Sequence, residues 1–165
     1  MTFRPFRPED VLPVAQVHLE SWRSAYRGIL SDAYLDGEAE AERRQHWHAR
    51  FAAGDRHQFG RLAEHAGRTV GFAFVIRDDE PAPVNLLDNL HVVPDARGLG
   101  IGRLLLGAVA DELHVRGWDG GLSLWVFEAN VDARRFYERH GAHLVETDWR
   151  LTPDHRRVRG CRYAW

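Results

Sequence analysis

The sequence predicts an α/β fold: a single domain over residues 1–165, with a mixed, mostly antiparallel sheet and helices on both faces. Three observations carry this. The length, 165 residues, suits one domain at roughly 150 residues each, enough to bury about two-thirds of the unfolded surface. Three strand-like segments follow one another between residues 58 and 93. Strand-like and helix-like segments then alternate, the pattern of helices packed on a sheet.

Element by element, Thr2 to Arg7 alternates loosely and reads as a strand. Pro8, Glu9 and Asp10 mark a helix start, with proline in the first turn and acids at the positive end of the dipole. Val11, Val14, Ala15, Val17, Leu19, Trp22, Ala25 and Tyr26 keep helical spacing up to Gly28. Ser31 or Asp32 caps a second helical stretch reaching about Phe51. Gln58 to Ala63, Thr69 to Ile76 and Val84 to Val93 are strand-like, with turns at Gly67 and at Asp78-Asp79. Asp78 to Pro83 is an acidic, proline-bearing loop, too short to divide domains. Gly102 to Val115 is helix-like, and Gly117 stops it. Leu122 to Phe127 is a strand. Asn130 caps a short helix through His140, which Gly141 closes. His143 to Trp149 and Val158 to Trp165 read as two closing strands.

Composition excludes several classes. The chain is 44% apolar, 11% aromatic and 28% charged, which is globular rather than disordered. A formal charge of −2 lacks the basic footprint of a nucleic-acid binder. No apolar run approaches the ~20 residues of a membrane helix. The N-terminus lacks a signal-peptide layout, and Cys161 is the only cysteine, so the expected compartment is cytoplasmic. All 22 basic residues are arginine. Without lysine there is no Walker A loop, no Schiff-base chemistry and no protein-kinase strand lysine.

The segment that carries chemistry is Val92-Val93-Pro94-Asp95-Ala96-Arg97-Gly98-Leu99-Gly100-Ile101-Gly102-Arg103. A strand runs into a glycine-rich turn that opens a helix. Such a turn is an anion site: backbone N–H groups approach a phosphate closely, and the helix end adds partial positive charge. Arg97 and Arg103 add full charges. A dinucleotide fingerprint starting at Gly98 would need glycine at position 103, which is Arg103. The alternative is a plain strand-to-helix turn whose glycines serve packing.

Arg97-x-x-Gly100-x-Gly102, following Leu90-x-Val92-x-Pro94, resembles the acetyl-CoA signature of the GCN5-related N-acetyltransferase (GNAT) family. The segment from Asn130 through Ala133, Phe136-Tyr137 and Gly141 to Ala142 is similar to a second motif of that family, with alanine at 142 where phenylalanine is usual. Trp22 to Leu30 resembles its small-molecule members. The resemblance covers nearly the whole chain. It implies a GNAT-like fold and transfer of an acetyl group from acetyl-CoA to a primary amine by direct attack on the thioester. It also implies that the backbone of Arg97, Gly98, Leu99, Gly100, Ile101, Gly102 and Arg103 cradles the coenzyme pyrophosphate. Leu90, His91 and Val92 would bond the pantetheine arm and acetyl carbonyl, and a splayed strand at Trp125 to Phe127 would form the far wall. Asn130 would contact the pantetheine as well as cap its helix. Tyr137 would protonate the leaving thiolate, its phenol pKa of about 10 lying near the ~8.5 of a thiol.

The attacking amine must lose a proton, and Asp88, His91 or a water relay can take it. Period-two alternation puts Asp88 with Leu90 and Val92, and Asn89 with His91. The helical pair from Trp22 to about Trp47 is expected to roof the acceptor, with Trp22, Tyr26 and Trp47 as walls and Asp32, Asp36 or Glu38 attracting an ammonium. Core packing is the alternative for the aromatics. His46 and His48, two apart on a helix, do not make a metal pair, and no metal is expected. The expected partner is a small-molecule amine: a polyamine, an amino-acid-like compound or an aminated antibiotic. A protein N-terminus, a coenzyme A-binding module without activity, and an interaction protein with exposed tryptophans are the rival readings. A homodimer is left open.

Overall fold

The computed structural model describes residues 1–79 and 82–165; within the Asp78 to Pro83 loop, Glu80 and Pro81 lie outside the described residues. The elements are β1 (Thr2–Pro5), α1 (Val11–Ala25), α2 (Asp32–Asp36), α3 (Ala39–Ala53), β2 (Gln58–His65), β3 (Arg68–Asp78), β4 (Val84–Val92), α4 (Ile101–Arg116), β5 (Leu122–Phe127), α5 (Val131–Arg139), β6 (His143–Leu151) and β7 (Arg157–Ala164). One seven-stranded sheet takes the order β1-β2-β3-β4-β5-β7-β6. Every pair is antiparallel except β4 with β5.

Alternation along β3 sorts the helices onto the two faces. Phe72 packs against His18 of α1 and Trp47 of α3. The neighbouring Gly71 faces the other way, where an added Cβ would lie 3.3 Å from Leu105 of α4. The buried apolar residues of β2, β3, α1 and α4 therefore form one core through the sheet. A satellite cluster of Leu19, Trp22, Leu30, Tyr34, Leu35 and Ala39 closes the α1–α2 corner.

The helical stretch expected from Ser31 to about Phe51 is two helices. Ser31 does cap the first, accepting the Tyr34 N–H at 3.3 Å. The chain then bends at Gly37, where a Cβ would sit 2.8 Å from the Ala33 carbonyl oxygen. Only glycine allows that close approach. No described helix is long and apolar enough to cross a membrane.

The feature that makes room for function is the junction of β4 and β5. They pair at only two positions, Asn85 with Leu122 and Leu86 with Ser123. The buried Asn85 pins this closed end by donating to the Trp118 and Gly121 carbonyls at 3.2 and 2.8 Å. Beyond it the strands diverge. Each keeps its ladder on the far side, β4 with β3 and β5 with β7, so their facing edges are left free to bond a ligand.

Candidate active site

The wedge between β4 and β5 opens into a cleft of about 680 Å³. The glycine turn forms one end. Gly98 and Gly100 have φ of +80° and +77°, with open space where a Cβ would be. The first helical bond runs from Leu104 N–H to the Gly100 carbonyl. The N–H groups of Gly98 through Arg103 thus find no acceptor among the described residues. They stand at the start of a 16-residue helix, beside Arg97 and Arg103 on the cleft. This donor set fits a pyrophosphate: several orphan N–H groups, a helix dipole and two guanidinium groups. Arg97 also reaches across the cleft to the Ser24 hydroxyl of α1 at 2.9 Å.

The predicted coenzyme-side residues Leu90, His91, Val92, Gly98, Gly100, Ile101, Gly102 and Asn130 all line this cleft, as does Trp125 opposite. Leu99 belongs to the turn, but its side chain points to solvent. Asn130 caps α5 through the Ala133 N–H at 3.3 Å and also faces the cleft. Phe136 packs under the turn, 3.1 Å from where a Gly102 Cβ would stand, so the second motif buttresses the first.

Tyr137 lies on the cleft, 8% exposed. Its ring sits edge-on to Phe136 and Trp165. Its hydroxyl has no hydrogen-bond partner among the described residues. Burial, and then the nearby Tyr26 phenol, push its pKa up from 10.0, which keeps it protonated as a donor at neutral pH. Tyr26 itself is pushed up to about 12 by burial and packs on Phe127 with ring centroids 5.0 Å apart.

The expected face of Asp88 is corrected by a β-bulge. Phe74 pairs with Asn89 and Val75 with Leu87, which leaves Asp88 as the extra residue. The bulge turns Asp88 away from Leu90 and Val92, toward the side covered by α1 and α3. There its carboxylate pairs with Arg50 at 2.9 Å and accepts from Asn89 at 2.7 Å, while still facing the cleft. His91 meets the Ser21 hydroxyl at 3.0 Å and stacks on His18 at 4.4 Å. Burial first, then Arg43 and Arg97, push its pKa down to about 3. The ring is therefore neutral.

Four acceptor-pocket expectations are corrected, those for Trp22, Asp32, Asp36 and Trp47. Trp22 is 8% exposed in the satellite core under Arg43, not on the cleft. Asp32 is on the outer surface, where Arg27 bridges it and Asp36 at 2.9 and 2.5 Å. Trp47 is fully buried. Core packing won because α3 turns Trp47 inward onto Phe72 and Phe74 of β3, while Trp22 closes against Tyr34 in the α1–α2 corner. Of the predicted acceptor residues, Tyr26 lies in the cleft.

The loop that follows Tyr26 is held by contacts that no local signal announced. The β6–β7 tip docks on the α1–α2 loop: Asp154 accepts the Ser31 N–H at 2.8 Å, and Arg156 donates to the Ile29 carbonyl. Ser21, Ser24, Arg139 and His140 also line the cleft. Arg139 and His140 were within reach of helical spacing, one turn on from Phe136.

The open β4–β5 wedge, the glycine turn with its unpaired N–H groups and the Tyr137 phenol thus share one cleft. The acetyltransferase (GNAT) family model matches residues 19–142, and the chain belongs to that family: it is an N-acetyltransferase. N-acetyltransferase YuaI of Bacillus subtilis (strain 168) is 27% identical over 150 residues, 90% of this chain and 83% of that one. The fold matches PaiA N-acetyltransferase of Thermoplasma acidophilum, solved in complex with coenzyme A, at TM-score 0.78 and 18% identity, covering all of both chains. It also matches the ribosomal-protein-S18-alanine N-acetyltransferase of Escherichia coli at TM-score 0.66 and 25% identity, over 99% of this chain and 91% of that one.

Proposed function

We propose that residues 1–165 form one N-acetyltransferase domain that moves the acetyl group of acetyl-CoA to the primary amine of a small molecule. The observation that carries the reading is the run of unpaired N–H groups from Gly98 to Arg103 at one end of the same wedge that holds Tyr137. The coenzyme A in the Thermoplasma acidophilum structure supports the same assignment. Acetyl-CoA, when bound, supplies a thioester whose acyl carbon an amine attacks.

The residues divide the remaining work. Backbone N–H groups of residues 98 to 103, with Arg97 and Arg103, hold phosphate. The free edge of β4 at Leu90, His91 and Val92 holds the amide-bearing arm. Tyr137 gives its phenolic proton to sulfur as the carbon–sulfur bond breaks. The amine gives up its own proton, and Asp88 takes it, directly or through cleft water. Asp88 is assigned over His91 because it is open to the cleft, whereas burial holds the His91 ring at about 3.

A small acceptor is favoured by the size of the cleft, about 680 Å³, which suits a small molecule beside the coenzyme. The Escherichia coli neighbour, a ribosomal-protein-alanine acetyltransferase, favours a protein N-terminus as the second reading. A thiol-release screen over small amines and N-terminal peptides, with products checked by mass spectrometry, tests both. Acetylated small amines carry the first reading, acetylated peptides alone carry the second, and binding of acetyl-CoA without thiol release leaves a coenzyme-binding module.

A further inference from the structure

Arg150, an exposed arginine outside the cleft lining, reaches a residue that belongs to it. Trp125 forms the β5 wall of the cleft. Two strands away in β6, Arg150 lays its guanidinium over that indole, 4.4 Å from the ring centroid. It gets there across Gly160 of β7, which carries no side chain. A Cβ at Gly160 would sit 2.6 Å from the Arg150 Cγ and 3.4 Å from Trp125 Cε3. The missing side chain is thus the slot that lets Arg150 lean inward onto the cleft wall. Trp125, Gly160 and Arg150 share the sheet face on which Tyr26 packs against Phe127, which is the acceptor side.

Several charges on the helices and closing strands are matched, whereas Arg157, stacked on Trp149, has no ion pair among the described residues. Arg27 bridges Asp32 and Asp36, Arg50 holds Asp88, Arg156 holds Asp154, and Arg162 holds Glu146. Asp148, two residues along the same strand, accepts only the Trp149 N–H among the described residues. Arg150 forms no ion pair or hydrogen bond among the described residues. A guanidinium stacked on an aromatic face keeps its N–H edge free, and that edge is shaped for two oxygens of one anion. An acceptor that is only cationic meets Arg150 as a like charge.

We propose that Arg150, held on Trp125 across the Gly160 gap, is a specificity residue that binds a carboxylate on the acceptor. The substrate class is then amines that also bear a carboxylate. This rests on the small-amine reading above. Its mechanistic part is binding alone: the amine still attacks at the wedge, and no bond changes at Arg150.

The test pairs ω-amino acids of two to six carbons with alkylamines of equal length, each assayed with acetyl-CoA. The wild type is expected to favour the carboxylate member of at least one pair by tenfold or more in kcat/KM. Arg150→Gln is expected to erase that preference by raising KM for the amino acid, with KM for acetyl-CoA unchanged. Gly160→Ala, which displaces Arg150 and leaves its charge in place, is expected to weaken the preference in the same direction. Alkylamines turned over as well as or better than amino acids would overturn the proposal while keeping the small-amine reading. Equal loss on both members in Arg150→Gln would overturn it too. Turnover of neither series, with acetyl-CoA bound, would overturn both.

Discussion

At Tyr137 a phenol lies against the cleft with no partner for its hydroxyl, and burial keeps it protonated. A group that acts only as the carbon–sulfur bond breaks contributes to kcat rather than to ground-state binding. Tyr137→Phe is therefore expected to lower kcat by about 10²–10⁴-fold, with the acetyl-CoA dissociation constant unchanged by calorimetry. An unchanged kcat on any accepted amine would remove Tyr137 from the mechanism. Asp88 shows how local geometry redirects a residue. Its place on the strand was readable, but the bulge decides that it meets Arg50 rather than sharing a face with Leu90.

The glycine turn and α4 act as one element. Gly100 combines a φ of +77° with open space on the ligand side. Gly100→Glu strains the backbone and sets a carboxylate where phosphate would lie. We expect acetyl-CoA affinity to fall at least tenfold with little change in far-UV circular dichroism; affinity equal to the wild type would put the coenzyme elsewhere. The β6–β7 tip is the matching element at the other end. Asp154→Ala removes the acceptor for the Ser31 N–H and a partner of the Thr152 hydroxyl. The loop bonded to the Tyr26 carbonyl should loosen and shift Tyr26 in the cleft, raising KM for the amine several-fold while KM for acetyl-CoA holds steady. A rise in the coenzyme KM alone would contradict the division of the cleft into two ends.

Across the whole molecule, a buried histidine layer sets the response to acid. His18 accepts from the Trp47 indole at 2.9 Å and stacks on His91. Burial is the largest cause in each case: it holds His18 well below 6.5, His91 at about 3 and His46 at about 4. These rings are neutral in the folded chain. The unfolded chain takes up their protons below about 6.5, so stability is complete above that pH and is lost as pH falls toward 4. Each ring contributes up to about 1.4 kcal/mol per pH unit in that window. The urea midpoint should therefore drop measurably between pH 7 and pH 5, before carboxylates titrate. A flat midpoint over that range would mean that the rings are already open to solvent and protons.

Much of the candidate site was legible because its chemistry is written in contiguous residues. The run from Arg97 to Arg103 must be a turn opening a helix, since glycines at 98, 100 and 102 relax the backbone where apolar periodicity begins. Phe136-Tyr137 and Asn130 likewise sit in one short helix whose cap and stop are local. By itself, then, the sequence determined most element types, the glycine turn that opens α4 and the place of Tyr137 on its short helix. The tertiary structure alone decided what depends on residues far apart in the chain. Asn85 sets where β4 and β5 part, by bonding carbonyls more than thirty residues away. Trp47 went to the core rather than the pocket because β3 offers it an apolar face, and Trp22 because α2 folds back over it. Arg150 reaches Trp125 because a glycine in a third strand leaves the gap. Local propensity and periodicity act over a few residues, whereas a cleft is bounded by side chains that only sheet pairing brings together.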